Sequence, residues 1–214
     1  MRVWFPGDLF YIDGGWQGLR LIAPIDLVLG PTLTLILYRP WKKSLAFDMS
    51  TIALVQILAL GYGIHSAYQQ RTAAIVFEYK GHFETISLSE LKETNLALAA
   101  MDLEPTTVGE LGKMPAVVHA GTYENLGLYL EDILNGKPAL RKRTDRYVPI
   151  AEAIDDISKH RVQTGEDGEI IEVPASAQNT PDGKNLNQFK LQARYGNAII
   201  TLQDNGYEIR RIGH

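Results

Sequence analysis

Hydrophobic positions follow two regimes along this chain. From Leu19 to Tyr38, and again from Leu45 to His65, they run almost without interruption. Beyond residue 72 they come in short alternating or helically spaced groups. A helix rises about 1.5 Å per residue, so crossing a ~30 Å hydrocarbon core takes roughly 20 apolar residues. Both early runs have that length, and residues 39–44 join them closely. The pattern predicts a two-helix hairpin over 19–66, with helices at about 19–38 and 45–65. The runs are apolar all round rather than along one stripe, which demands lipid or a very large core. The remaining chain is too small to wrap both helices.

The later pattern predicts a small α+β domain over 72–214. Residues 73–79 are β-prone, and Lys80-Gly81 turns the chain into HFETISL, a hairpin signal. Ser87 with Glu90 fits a capping box opening a helix to about Ala100. Val117-Val118 reads as a short strand. Thr122 begins a helix with Leu126, Leu130 and Ile133 on one face and Gly136 as its stop. Pro149 starts another, with Ile150, Ile154 and Ile157 aligned. Residues 162–187 carry glycine and proline breaks and read as a long loop. The chain closes on FKLQARY and a hairpin turning at Asn205-Gly206.

Several residues inside the apolar runs do not belong there by hydropathy. A charge near the middle of a bilayer helix costs about 2.5–3.5 kcal/mol on insertion scales. Asp26 lies off-centre, about 10 Å from the start of the first run by the helical rise, and costs less. Gln56 is a second polar group at depth. Counted from the shared loop, Asp26 lies farther from it than Gln56, so the two meet only with a register offset. Pro24 and Gly30-Pro31 interrupt the first helix, and Thr32 and Thr34 are placed to satisfy freed backbone groups. Gly30-Pro31 predicts a kink with a close-approach surface, either supporting the hairpin itself or forming a groove for a foreign helix.

Charge gives the hairpin an orientation. Arg39, Lys42 and Lys43 make the connecting loop basic, with no acid beside them. The positive-inside rule puts that loop in the cytoplasm and both flanks on the other side. In a Gram-negative cell residues 1–18 and 72–214 are then periplasmic, and the membrane is the inner one. Trp4, Phe5, Phe10, Tyr11 and Trp16 before the first helix, Tyr38 and Trp41 after it, and Tyr62 and Tyr68 near the exit of the second read as headgroup-level anchors. Residues 1–71 hold six cations against four aspartates, a net +2, so residues 72–214 carry −6 to make the chain's −4. An acidic second half argues against nucleic acid, which selects a basic face.

Reactive chemistry is sparse. The chain has no cysteine, which removes disulfides, thiolate metal sites and thiol nucleophiles. The five histidines show no metal-ligand spacing, and no phosphate loop or nucleophile elbow is present. Asp155-Asp156 near His160 reads as a polar helix face rather than a catalytic pair. The run Arg141, Lys142, Arg143, Arg146 reads as a solvated loop, or as a contact to a partner or to anionic headgroups. No catalytic residue, cofactor or metal is expected.

The residues WFPGDLF, Gly14-Gly15, Asp26 with Leu29-Gly30-Pro31 and Leu33-Thr34, Lys42-Lys43-Ser44-Leu45 with Asp48, and Gln56 form a pattern over roughly residues 3–80. It resembles the TfpX/TfpZ-type (FimB-like) accessory proteins of type IV pilins. Members usually carry a further transmembrane helix before the aromatic-Pro-Gly stretch, on which this sequence almost begins; either a start upstream supplies that helix, or the protein inserts with its short N-terminal segment outside. Thr72 stands after Arg71 where the family pattern has proline. The resemblance implies a non-enzymatic inner-membrane helper for the stability or assembly of a cognate major pilin, in company with other pilus assembly proteins. It makes Asp26, Gly30, Pro31, Thr34 and Gln56 the expected partner-binding positions, and the domain after residue 72 the expected reader of the pilin head. A membrane-anchored periplasmic sensor or ligand-binding domain is the alternative, and a membrane-bound hydrolase with dispersed residues a further one.

Overall fold

The computed structural model describes residues 4–37, 45–78, 80–110, 114–164, 170–173, 187–203 and 206–212. A short helix α1 (Leu9–Ile12) leads into two long ones, α2 (Gly15–Leu37) and α3 (Leu45–Gln69). Each long helix extends four residues beyond its apolar run at the outer end, to Gly15 rather than Leu19 and to Gln69 rather than His65. Strands β1 (Thr72–Phe77) and β2 (Phe83–Ser87) follow, then α4 (Leu88–Ala100), β3 (Ala116–His119) and α5 (Leu126–Leu134). Short pieces β4 (Val148–Pro149) and α6 (Ile154–Ile157) precede a ribbon, β5 (Val162–Thr164) and β6 (Ile170–Glu172). The chain ends in β7 (Gln188–Ala193), β8 (Gly196–Gln203) and β9 (Gly206–Arg211).

Seven strands form one mixed sheet in the order β4-β3-β1-β2-β7-β8-β9. The pairs β1–β3 and β2–β7 are parallel, and the other neighbours antiparallel. Strand β1 is central and buried at every position. Its alternation sends Ala74 and Val76 to one face, packed with Ile86, Leu91 and Val118 under α4. Ile75 and Phe77 go to the other face, with Phe83, Phe189 and Leu191. The Ser87–Glu90 capping box starts α4: Glu90 N–H donates to Ser87 Oγ at 3.2 Å, and the Ser87 N–H reaches Glu90 Oε2 at 3.5 Å.

The second face is covered by the start of the chain. Phe5, Leu9 and Ile12 are 0–2% exposed and complete the Phe77–Phe189 cluster. Phe5 is therefore a core residue, not a membrane anchor. The spacing of Leu9 and Ile12 puts both on one side of α1, Phe5 joins them from the turn before the helix, and the open sheet face offers more apolar contact than a headgroup layer. Trp4 packs edge-on against Tyr68, with ring centroids 5.5 Å apart. Tyr11 and Trp16 stay 44% and 41% exposed, and Tyr62 76%.

Three other expectations change. Helix α5 begins at Leu126, capped by the Asn125 side chain at 3.0 Å, not at Thr122. Its apolar side chains are exposed, Leu126 at 69% and Leu134 at 85%, because the helix meets the domain through Tyr129 and Asp132 instead. The helix expected after Pro149 is a broken series of short turns in which Ile157 alone is fully buried. Within the stretch expected as a loop, 162–187, β5 and β6 pair in antiparallel register. Asn205 lies outside the described residues, while Gln203 pairs with Gly206 across the expected hairpin.

Candidate functional site

Helices α2 and α3 run antiparallel and touch at small residues. A Cβ added at Gly30 would lie 3.0 Å from Gln56 Nε2, and one added at Gly63 would lie 3.4 Å from Ile22 Cδ1. Glycine at 30 thus lets the Gln56 amide approach the α2 backbone. Pro31 has no N–H, so the Leu27 carbonyl loses its usual helical donor in the same turn. The fold brings Gly30, Pro31 and Gln56 to one level. Asp26 sits one turn nearer the start of α2, about 6 Å along the axis from Gly30. Thr34 lies one turn the other way. The side chains of Asp26 and Thr34 lie outside the description, as do Arg39, Lys42 and Lys43 altogether.

The outer surface of the pair is apolar. Leu27, Val28 and Leu35 on α2 are 59–82% exposed, and α3 exposes Phe47, Leu54, Val55, Ile57 and Leu58. Ala46–Gln69 is long and apolar enough to cross a membrane, with mean hydropathy 1.5 and 6% of an 18-residue apolar window within it buried. A core helix of a soluble domain would be mostly covered; this one is not.

Both ends of the helix pair are fastened at one place. Asp13 is fully buried between α1 and α2. It accepts hydrogen bonds from the Thr72 hydroxyl, from Thr85 Oγ1 at 2.6 Å, and from Arg194 Nε at 3.1 Å and backbone N at 3.3 Å. The same guanidinium donates to the Asp13 carbonyl, to Gln70 Oε1 at 2.8 Å and to the Gln70 carbonyl at 2.6 Å. Arg194 therefore ties the entrance of α2 and the exit of α3 to the β7–β8 turn. The double glycine serves this corner. Gly14 has φ +113°, and a Cβ at Gly15 would meet Phe10 Cδ2 at 2.6 Å and the Phe10 carbonyl at 2.9 Å. Sequence reasoning missed the clamp. Its one local signal was a charge, Asp13, standing between apolar FYI and a glycine pair.

The basic run is neutralised within the domain, so it is not the free cationic loop the sequence suggests. Arg143 pairs with Asp132 at 2.5 Å and with Asp145 at 2.6 Å, its side chain 4% exposed. Arg141 reaches Glu84 at 3.4 Å, and Lys142 reaches Glu90 at 2.9 Å. Arg146 stacks over Tyr123 at 4.5 Å and donates to the Thr122 carbonyl. Asp132 also accepts from Tyr123 and Lys137, both at 2.7 Å. Burial alone would raise its pKa, but the bonds from Lys137, Tyr123 and Arg143 outweigh burial and hold it at about 2. Burial and the Asp132 contact push the Tyr123 hydroxyl up to about 12. Tyr123, Asp132, Lys137 and Arg141 wall a cavity of about 350 Å³ with Glu78 and Glu84. Burial, then the charge of Glu84, raises the Glu78 pKa.

Asp156 turns to His119 at 3.4 Å and to Lys159 at 3.1 Å, not to His160. His119 Nδ1 accepts from the Gly121 N–H at 2.9 Å, which leaves the proton on Nε2 facing Asp156. Burial lowers the pKa of His119 despite that neighbour. Among the described residues no group of three or more His, Cys, Asp or Glu side chains is placed to hold a metal.

No protein-family model matches the chain, and no solved structure does. Three curated relatives from Dichelobacter nodosus are each 40% identical to it over 78 residues, 36% of its length. They are named fimbrial assembly proteins, of serogroups C1 and C2, of serogroup E1 and of serogroup I. The matched segment is 60% of the first and 30% of the other two, so the chain spans only part of the length of the relatives it matches. This similarity supports a pilus-assembly family.

Proposed function

We propose that the chain is a non-enzymatic accessory protein of the inner membrane that assists assembly of a cognate type IV pilin. The observation that carries this reading is the likeness to fimbrial assembly proteins. The long helices support it: they expose apolar side chains along their length and return to one clamp on a folded domain. A pair with both outer ends at one clamp has them on one side of the bilayer. With Arg39, Lys42 and Lys43 on the cytoplasmic side, that side is the periplasm. An unassembled pilin held by an apolar helix presents that helix to the pair and its head to the domain. Gly30, Pro31 and Gln56, with Asp26 and Thr34 a turn to either side, form the membrane part of the contact.

The test is in-membrane photo-crosslinking from Val55, which is 52% exposed beside Gln56. A pilin adduct is expected. Self-adducts alone from well-expressed protein would overturn the membrane contact.

A further inference from the structure

A cationic groove forms at the far end of β1 from the membrane helices. It has a volume of about 460 Å³ and is lined by Lys80, His82, Lys159, Arg161 and Lys190, with Glu172 as an acid on its wall. These residues come from the β1–β2 turn, the turn after α6, the β5–β6 ribbon and β7, so no charge run in the sequence announces them. Lys80 leans on Glu78 at 3.8 Å and Lys159 on Asp156 at 3.1 Å. Arg161 and Lys190 have no acidic partner among the described residues, in a domain that is otherwise acidic. Arg161 Nε is moreover buried without a hydrogen-bond partner among them.

A guanidinium edge presents two parallel N–H groups that match a carboxylate. We propose that this groove binds an acidic, Asp- or Glu-bearing peptide segment of a protein partner. The form of the groove favours a peptide over a single small anion. Lys80, Lys159 with Arg161, and Lys190 stand on three chain segments rather than converging on a point. The β5–β6 ribbon beside them pairs with no other strand among the described residues, which leaves backbone groups for an extended chain. Position disfavours lipid headgroups. Six residues of β1 separate the groove from the end of α3, about 20 Å of strand and twice the ~10 Å screening length at moderate salt. This assignment does not rest on the pilus-assembly reading.

The test is fluorescence anisotropy of labelled hexaglutamate against the full chain in detergent micelles at low salt. Saturable binding is expected, weakened about tenfold or more by Arg161→Gln and by Lys190→Gln. Lys92→Gln, which removes a cation elsewhere on the domain, should leave it unchanged. Lys190 is exposed, so its variant folds and decides the matter if Arg161→Gln does not. Absence of saturable binding, or equal loss in Lys92→Gln, would overturn the proposal. So would binding of inorganic phosphate or phosphatidylglycerol vesicles where the peptide does not bind.

Discussion

Replacing Arg194 with methionine tests whether the helix pair and the domain are one mechanical unit. Asp13 is 0% exposed and Arg194 23% exposed. The substitution removes the guanidinium bonds to the Asp13 carboxylate and carbonyl and to both oxygens of Gln70. Thr72, Thr85 and the residue 194 amide still face the carboxylate, but no charge balances it. Stranding one member of a buried ion pair costs about 3–5 kcal/mol. At about 2–4 °C per kcal/mol for a chain of this size, the thermal midpoint should fall by about 6–20 °C. The assay is near-ultraviolet circular dichroism of the full chain in micelles, where Trp4 against Tyr68 reports on the corner. Adding Asp13→Asn removes the stranded charge and should recover at least half of the loss, a coupling that a double-mutant cycle reads directly. A single variant within about 1 kcal/mol of the natural protein, or a double variant that loses the sum of the two singles, would refute a charge clamp.

Other expectations follow from the same geometry. Gly30→Val puts bulk 3.0 Å from the Gln56 amide and should reduce surface pili and any Val55 crosslink at unchanged protein level, read by immunoblot and pilus shear assay. Asp26→Leu should likewise reduce piliation without lowering the protein's own abundance; normal piliation would sink the role of Asp26 in the contact. Ser87→Ala should cost about 0.5–2 kcal/mol in a denaturant titration by removing the α4 cap. Acid should destabilise the domain in two windows. Buried His119 has a lowered folded pKa, so its contribution is full above its unfolded value near ~6.5 and is lost as pH falls below it. Asp132 is held at about 2 against an ordinary 3.8, so its contribution is lost as pH falls from about 4 toward 2. His119→Asn should flatten the first window and Asp132→Asn the second in melting curves taken across pH.

By itself the sequence determined what local pattern can encode. The two long apolar runs, the Ser87–Glu90 cap, the β-prone run of β1 and the closing hairpin each depend on residues within one or two turns of one another. Such spacing repeats every two or 3.6 residues and is visible without a fold. Tertiary structure alone decided where charges end up. Asp13 and Arg194 are 181 residues apart, and no period connects them. The run at Arg141–Arg146 looked like a free basic surface because, Asp145 apart, its acids Glu84, Glu90 and Asp132 stand 11 to 57 positions from their partners in the chain. The groove around Arg161 and Lys190 arises the opposite way, from cations that three distant segments bring together. Phe5 could face a membrane or a core by its own chemistry, and only the open face of the sheet, built mostly after residue 72, settles it. Hydrophobic burial is satisfied by any apolar neighbour and leaves a local trace, whereas a buried charge needs one particular partner, and the fold supplies it from anywhere in the chain.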